Sequence, residues 1–237
     1  MLGGKSMTIT VMRTHGVKTY ILPSHEQTLL QGLLYIKENL DKTLGFDYSC
    51  RSGVCGSCAV LVNGKEKLAC EYKVQAGDVV APLRYMSVLR DLMVAPKSES
   101  LLRQVQSWMI APLPREITEV EAKRIEVQTD CILCHSCYSA CPVLSVNQSF
   151  AGPFALTRIW RYVADVRESD SKTKIETIQA NGVWDCTLCG ECTLACPQGI
   201  DPKNDIALLR MRSVQEGYSD PNFISGDFSM GGFDPNF

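Results

Sequence analysis

Twelve cysteines among 237 residues fall into three tight groups, and their spacing is the strongest chemical signal in the chain. The first group is Cys50, Cys55, Cys58 and Cys70, a C-x4-C-x2-C run followed by a distant fourth thiol. This is the plant-type spacing for a [2Fe–2S] cluster. Cluster sulfides need hydrogen-bond donors, and Gly53, Gly56 and Ser57 let backbone amides approach with little side chain in the way. Asn63-Gly64 turns the chain back so that Cys70 closes the site. Four thiolates also suit zinc, but zinc sites usually pair two short C-x2-C knuckles, and this loop does not.

The other groups are Cys131, Cys134, Cys137, Cys141 with Pro142, and Cys186, Cys189, Cys192, Cys196 with Pro197. Each reads C-x2-C-x2-C-x3-C-P, the two-cluster pattern whose fourth cysteine ligates the other cluster. Three closely spaced cysteines cap one face of a cubane, and the fourth lies too far round to close it. The expected ligand sets are therefore Cys131, Cys134, Cys137 and Cys196 for one [4Fe–4S] cluster, and Cys141, Cys186, Cys189 and Cys192 for the other. All iron is held through these cysteines, with none left over. A disulfide framework is the alternative use of many thiols. It is disfavoured because cysteines two or three apart rarely meet disulfide geometry, and because Met1 to Thr10 lacks the apolar core of a secretory signal.

Other residues carry less. His15 and His25 read as surface histidines, and His135, inside a cluster loop, as a hydrogen-bonding residue rather than a ligand. Trp108, Trp160 and Trp184 read as core, and Glu119 to Lys123 as a solvated helix face. A net charge of -2 with no basic tract gives nucleic-acid binding no support. No apolar run approaches the ~18 residues of a membrane-spanning helix. No G-x-G-x-x-G, P-loop or nucleophile elbow marks a nucleotide, flavin or catalytic site within the chain.

These loops need scaffolds. Alternation at Met7, Ile9 and Val11, then Val17 to Leu22, predicts a strand pair turning at Thr14 to Gly16 and ending at Pro23. Ser24 with Gln27 resembles a capping box for a helix burying Leu29, Leu33, Ile36 and Leu40. Ala59 to Val62 and Lys65 to Ala69 flank the Asn63-Gly64 hairpin, and Val79 to Ala81 is one more strand. Residues 1–95 thus form an α+β unit. Residues 96–116, with Pro96, Pro112 and Pro114, read as a connection containing a helix with Leu101, Leu102, Val105 and Trp108. Residues 117–217 read as helical, with helices at Glu119 to Gln128, Pro153 to Arg167, Lys172 to Ala180 and Pro202 to Gln215. Residues 218–237 form a Gly/Phe-rich tail in which Asp-Pro-Asn-Phe occurs twice, an extended strap or a loose end.

The order of motifs resembles the iron–sulfur subunit of succinate dehydrogenases and fumarate reductases, the complex II family, over roughly residues 7 to 217. The most specific segments are Ser49 to Cys58, Asn63-Gly64-Lys65 before Leu68-Ala69-Cys70, Gly152-Pro153, and Cys192 to Pro202. The resemblance implies a β-grasp [2Fe–2S] domain followed by an all-α two-cluster domain. It implies a partner flavoprotein with covalent FAD and the dicarboxylate site, and electron relay to a quinone site near a prokaryotic membrane, reached through partners. Two departures matter. Members of this family usually lack a cysteine at the position of Cys189 and hold a [3Fe–4S] cluster there. Ser145 and Val146 also stand where a tryptophan pair is usual. Both look like the subgroup with a second [4Fe–4S] cluster and a cysteine-rich partner, which includes methylmenaquinol:fumarate reductases. Alternatives are the relay subunit of another flavin oxidoreductase, acting on a 2-hydroxy acid or a thiol/disulfide, and a free-standing ferredoxin.

Overall fold

A computed structural model describes residues 6–23, 27–110 and 116–221. Its first elements are β1 (Ser6–Arg13), β2 (Gly16–Pro23), α1 (Leu29–Tyr35), β3 (Ala59–Val62), β4 (Lys65–Leu68) and β5 (Val79–Ala81). The strands form one sheet in the order β2-β1-β5-β3-β4. β1 and β5 run parallel and the other neighbours antiparallel, with Ser6 opposite Pro23 and Ala59 opposite Leu68. The period-two pattern decides which face is covered: Ile9, Val11, Tyr20 and Leu22 are buried, whereas Val17 and Ile21 face solvent. α1 covers the sheet with Leu29, Leu30 and Leu33, and Gly32 lets it close in, because a Cβ there would stand 2.9 Å from Leu22 Cδ1. Asn63 and Gly64 both take positive φ, the turn that a tight hairpin requires.

Three expectations for this half need correction. Ser24 and His25 lie outside the described residues, and the capping box is Thr28 with Gln31, while Gln27 donates to the Pro23 carbonyl at 3.0 Å. The helix loosens into a π-helical stretch over Ile36–Leu40, which turns Leu40 off the buried face to 47% exposure. A second hairpin, β6 (Val88–Arg90) with β7 (Met93–Val94), was not expected, because β6 is exposed along its whole length and shows no apolar alternation.

Beyond Val94 every described element is helical. α2 (Ser98–Gln104) lies in the connecting stretch, and Val105 behind it is buried. Trp108 is 46% exposed rather than core. The expected helix from Glu119 to Gln128 is two short ones, α3 (Glu119–Lys123), capped by Thr118 with Glu121, and α4 (Glu126–Thr129). There follow α5 (Ser136–Ser139), α6 (Pro153–Val163), α7 (Ser171–Thr177), α8 (Glu191–Ala195) and α9 (Pro202–Gln215). α6 stops short of Arg167, where the buried Asp165 carboxylate accepts hydrogen bonds from the Arg161 and Arg167 side chains and from the Arg167 amide. α6 and α9 both start with proline at the first turn and pack on each other, as do α5 and α8. Fully buried Lys174 of α7 pins the connecting stretch, donating to the carbonyls of Gln106, at 3.0 Å, and Trp108, beside Glu168. Buried residues of the sheet half and the helical half belong to one hydrophobic cluster.

Candidate functional site

None of the twelve cysteines is paired in a disulfide. The first four are held by the loop between α1 and β3 and by the chain leaving β4. Cys50 N–H donates to Cys55 Sγ at 3.4 Å, Ser57 Oγ to the same sulfur at 3.3 Å, Ser52 N–H to Cys50 Sγ at 3.4 Å and Gly53 N–H to Cys70 Sγ at 3.3 Å. Ala69 N–H donates to the Cys58 carbonyl at 3.0 Å, setting the last two thiols side by side. The amide of Ser52 lowers the Cys50 pKa to about 6, whereas burial pushes Cys58 up to about 12. Gly53 and Gly56 are needed as glycines. Both have positive φ, which disfavours any side chain, and a Cβ on Gly56 would also stand 2.9 Å from the backbone of Ile132 and Cys134.

The other two loops are one backbone used twice. The second and fourth residues after the first cysteine take positive φ in each, Leu133 and His135 in one, Leu188 and Gly190 in the other. The fourth cysteines share one conformation, φ -76 and ψ 115 at both Cys141 and Cys196. Each sits just past a short helix, α5 or α8. Because those helices pack together, each fourth thiol reaches the neighbouring loop. Cys131, Cys134, Cys137 and Cys196 line one cavity, with Phe154, Thr157 and Ile200. Cys141, Cys186, Cys189 and Cys192 line another, with Val143 and Lys203.

Among the described residues, neither cavity wall contains a carboxylate. Burial pushes the Cys137 thiol well above its ordinary value and Cys192 to about 12. Such buried thiolates need a strong positive charge beside them, which iron supplies. Among the described residues no three His, Cys, Asp or Glu side chains converge on a single ion. In a cubane each thiolate bonds a different iron, and in a [2Fe–2S] cluster each iron takes two of the four, so the full set of sulfurs is spread more widely than the donors to one zinc. The donor sets therefore fit clusters.

The sites adjoin. Gln198, just after Cys196, donates from Nε2 to the Gly53 carbonyl at 3.2 Å, and the Gly53 amide in turn donates to Cys70 Sγ. Ser136 Oγ lies 3.3 Å from Cys134 Sγ. His135 is buried against Phe154, burial pushes its pKa down, and its Nε2 has no hydrogen-bond partner among the described residues. His15 is exposed, and Glu119 to Lys123 is a solvated face with a 2.6 Å ion pair. Sequence reasoning missed Gln198, Arg210 and Asp91, whose roles depend on partners far away along the chain.

Residues 9–100 match the family of 2Fe-2S iron-sulfur cluster binding domains, and residues 127–200 that of 4Fe-4S dicluster domains. The chain is 37% identical over 211 residues to a fumarate reductase iron-sulfur subunit of Mycobacterium tuberculosis, covering 83% of this chain and 85% of that one. It is 39% identical over 209 residues to the 8-methylmenaquinol:fumarate reductase iron-sulfur subunit of Wolinella succinogenes, covering 81% of this chain but 65% of that longer protein. A chain of the Mycobacterium smegmatis Sdh1 complex in the apo form has the same fold, with TM-score 0.81 at 20% identity, covering 92% of this chain and 99% of that one.

Proposed function

The chain belongs to the family of fumarate reductase iron–sulfur subunits, and from that premise we propose that it relays electrons between a covalent-FAD flavoprotein subunit bearing the dicarboxylate site and a quinol-linked, cysteine-rich subunit of a fumarate reductase or succinate dehydrogenase. The observation that carries this reading is the contiguity of three thiol-lined sites. The [2Fe–2S] loop is hydrogen-bonded to the Cys196 loop, and the two cavities exchange their fourth cysteines through α5 and α8.

The proposed ligands are Cys50, Cys55, Cys58 and Cys70 for [2Fe–2S]; Cys131, Cys134, Cys137 and Cys196 for the first cubane; and Cys141, Cys186, Cys189 and Cys192 for a second. Residues 1–95 are taken as a β-grasp domain, 96–116 as the connection, 117–217 as an all-α two-cluster domain and 218–237 as a tail; residues 111–115 and 222–237 lie outside the described residues. When bound, the clusters store one electron at a time with little rearrangement. The chain's own residues would hold them through the cysteine thiolates, donate amides to those cysteine sulfurs and keep Cys192 from water. Among the described residues no helix is long and apolar enough to cross a membrane; membrane contact in a prokaryotic cell is proposed through the partners.

Purification with the native partners tests the reading. The expected result is a brown complex with about ten irons per copy of this chain, a covalent-FAD subunit, and quinol-dependent fumarate reduction or the reverse. Zinc near stoichiometry with little iron would overturn it. So would a non-covalent-flavin partner active on a 2-hydroxy acid or disulfide and inactive on fumarate and succinate.

A further inference from the structure

α9 links the two cubane sites. It begins just after Cys196, the outlying thiol of the first cavity, and its later turns pack on the segment that leads into Cys186 of the second. Arg210 does the gripping. Its Nε donates to the Val183 carbonyl at 2.8 Å, and its Nη2 donates to the carbonyls of Trp184, at 3.3 Å, and Cys186. The guanidinium also lies over the Trp184 ring, 5.7 Å from its centroid. One turn on, Ser213 is hydrogen-bonded to Gln179 Nε2, and Gln179 Oε1 accepts the Trp184 indole N–H at 2.8 Å. One face of α9 therefore fixes the approach to Cys186 through three carbonyls, the Trp184 ring and the Gln179 relay.

Three carbonyls from one short segment are more than packing requires. They hold a permanent cation on the protein side of the Cys186 ligand, half-buried, where solvent screens it poorly. The other charges around this loop are placed differently. Lys203 lines the same cavity but is exposed, Glu191 is exposed, and the Asp185 carboxylate is engaged by Asn147 Nδ2 at 2.9 Å. A fixed positive charge beside a cluster stabilises its reduced, more negative state, and local charge is one of the levers that set cluster potentials.

We propose that Arg210 is a positioning residue of the electron relay, orienting the Cys186 loop and raising the reduction potential of the second cubane specifically. The inference rests on the reading that the Cys141–Cys186–Cys189–Cys192 cavity holds a cluster, and it adds to that reading a residue that tunes the potential of that cluster alone.

The test is a redox titration followed by paramagnetic resonance, on the full chain purified with its native partners, comparing wild type with Arg210→Gln and Arg210→Lys. Absence of a second cubane signal from the wild type itself would defeat the underlying reading rather than this one. With that signal present, Arg210→Gln is expected to shift the second cubane's midpoint to a more negative value. The [2Fe–2S] and first cubane midpoints should stay in place, and Arg210→Lys should recover most of the shift. Loss of only the second cubane from Arg210→Gln, with its retention at a near-native midpoint in Arg210→Lys, also supports the proposal. An unchanged second midpoint in Arg210→Gln overturns it. So does an equal shift of all three midpoints, a shift that Arg210→Lys fails to recover, or loss of the second cubane from both variants.

Discussion

Gly56 and Cys134 meet back to back. A Cβ added to Gly56 would lie 2.8 Å from the Cys134 Cβ and 2.9 Å from its Cα and from the Ile132 carbonyl. Gly56 belongs to the [2Fe–2S] loop and Cys134 to the first cubane loop. The separation of the two sites is thus set by the lack of a side chain at one position.

Gly56→Ala should damage both neighbouring sites at once. The residue has φ +74, so a side chain adds roughly 1–2 kcal/mol of backbone strain, and the overlap is with backbone and a ligand's own Cβ, which have nowhere to move. Gly77→Ala is the control, with φ +86 and nothing within 4 Å of its Cβ. Iron and resonance signals of the [2Fe–2S] and first cubane sites should fall in the first variant and persist in the second. Equal, full iron in both would show that the contact does not matter.

Cysteine spacing made the three sites legible because the loops are local: Leu133 with His135 and Leu188 with Gly190 repeat one backbone at one offset. Asp201 as cap and Pro202 at the first turn likewise marked α9 accurately. What stayed hidden depends on distant partners. Gln198 meets Gly53, Arg210 meets Val183, and Asp91 meets Arg13 and Gly45. Nothing near any of these residues in sequence signals its partner. The β6–β7 hairpin was missed for a different reason, since its exposed residues carry no alternating pattern.

Asp91 should make the sheet half acid-sensitive. It is 4% exposed, and burial alone would raise its pKa. The Arg13 guanidinium and the amides of Gly45 and Thr14 overcome that and hold it at about 2. A depressed carboxyl contributes stability that is full above its unfolded value, near 3.9, and fades as the pH falls through that value towards 2. The shift corresponds to roughly 2 kcal/mol. Urea unfolding of wild type and Asp91→Asn across this range should show the gap between them closing as the pH falls; cluster loss in acid is common to both and cancels. A gap independent of pH would remove Asp91 as the cause.

Cys196→Ser tests the exchange of fourth ligands. Cys196 follows the Cys186 loop in the chain yet lines the cavity of Cys131, Cys134 and Cys137. The variant should alter the resonance signal and potential of the first cubane and leave the second unchanged. A change confined to the second cluster would refute the assignment.

Cys189 decides the type of the second cubane. A cube needs a ligand at each iron, and the fourth iron is readily lost where no thiolate holds it. Cys189 lines its cavity together with Cys141, Cys186 and Cys192, so a sulfur is available at the fourth corner. It is also the exposed member of the set, with Cys141 and Cys192 buried. An iron held by Cys189 would therefore lie on the surface side of the cavity, the side from which a cluster-bearing partner would approach. A four-thiolate [4Fe–4S] site generally sits at a lower potential than a three-thiolate [3Fe–4S] site, which suits electron exchange with another cluster. The native, undamaged, air-oxidised complex should show no stoichiometric oxidised [3Fe–4S] signal, and Cys189→Val should create one, with iron falling by about one per chain. A full [3Fe–4S] signal in the native protein would make Cys189 a spectator thiol.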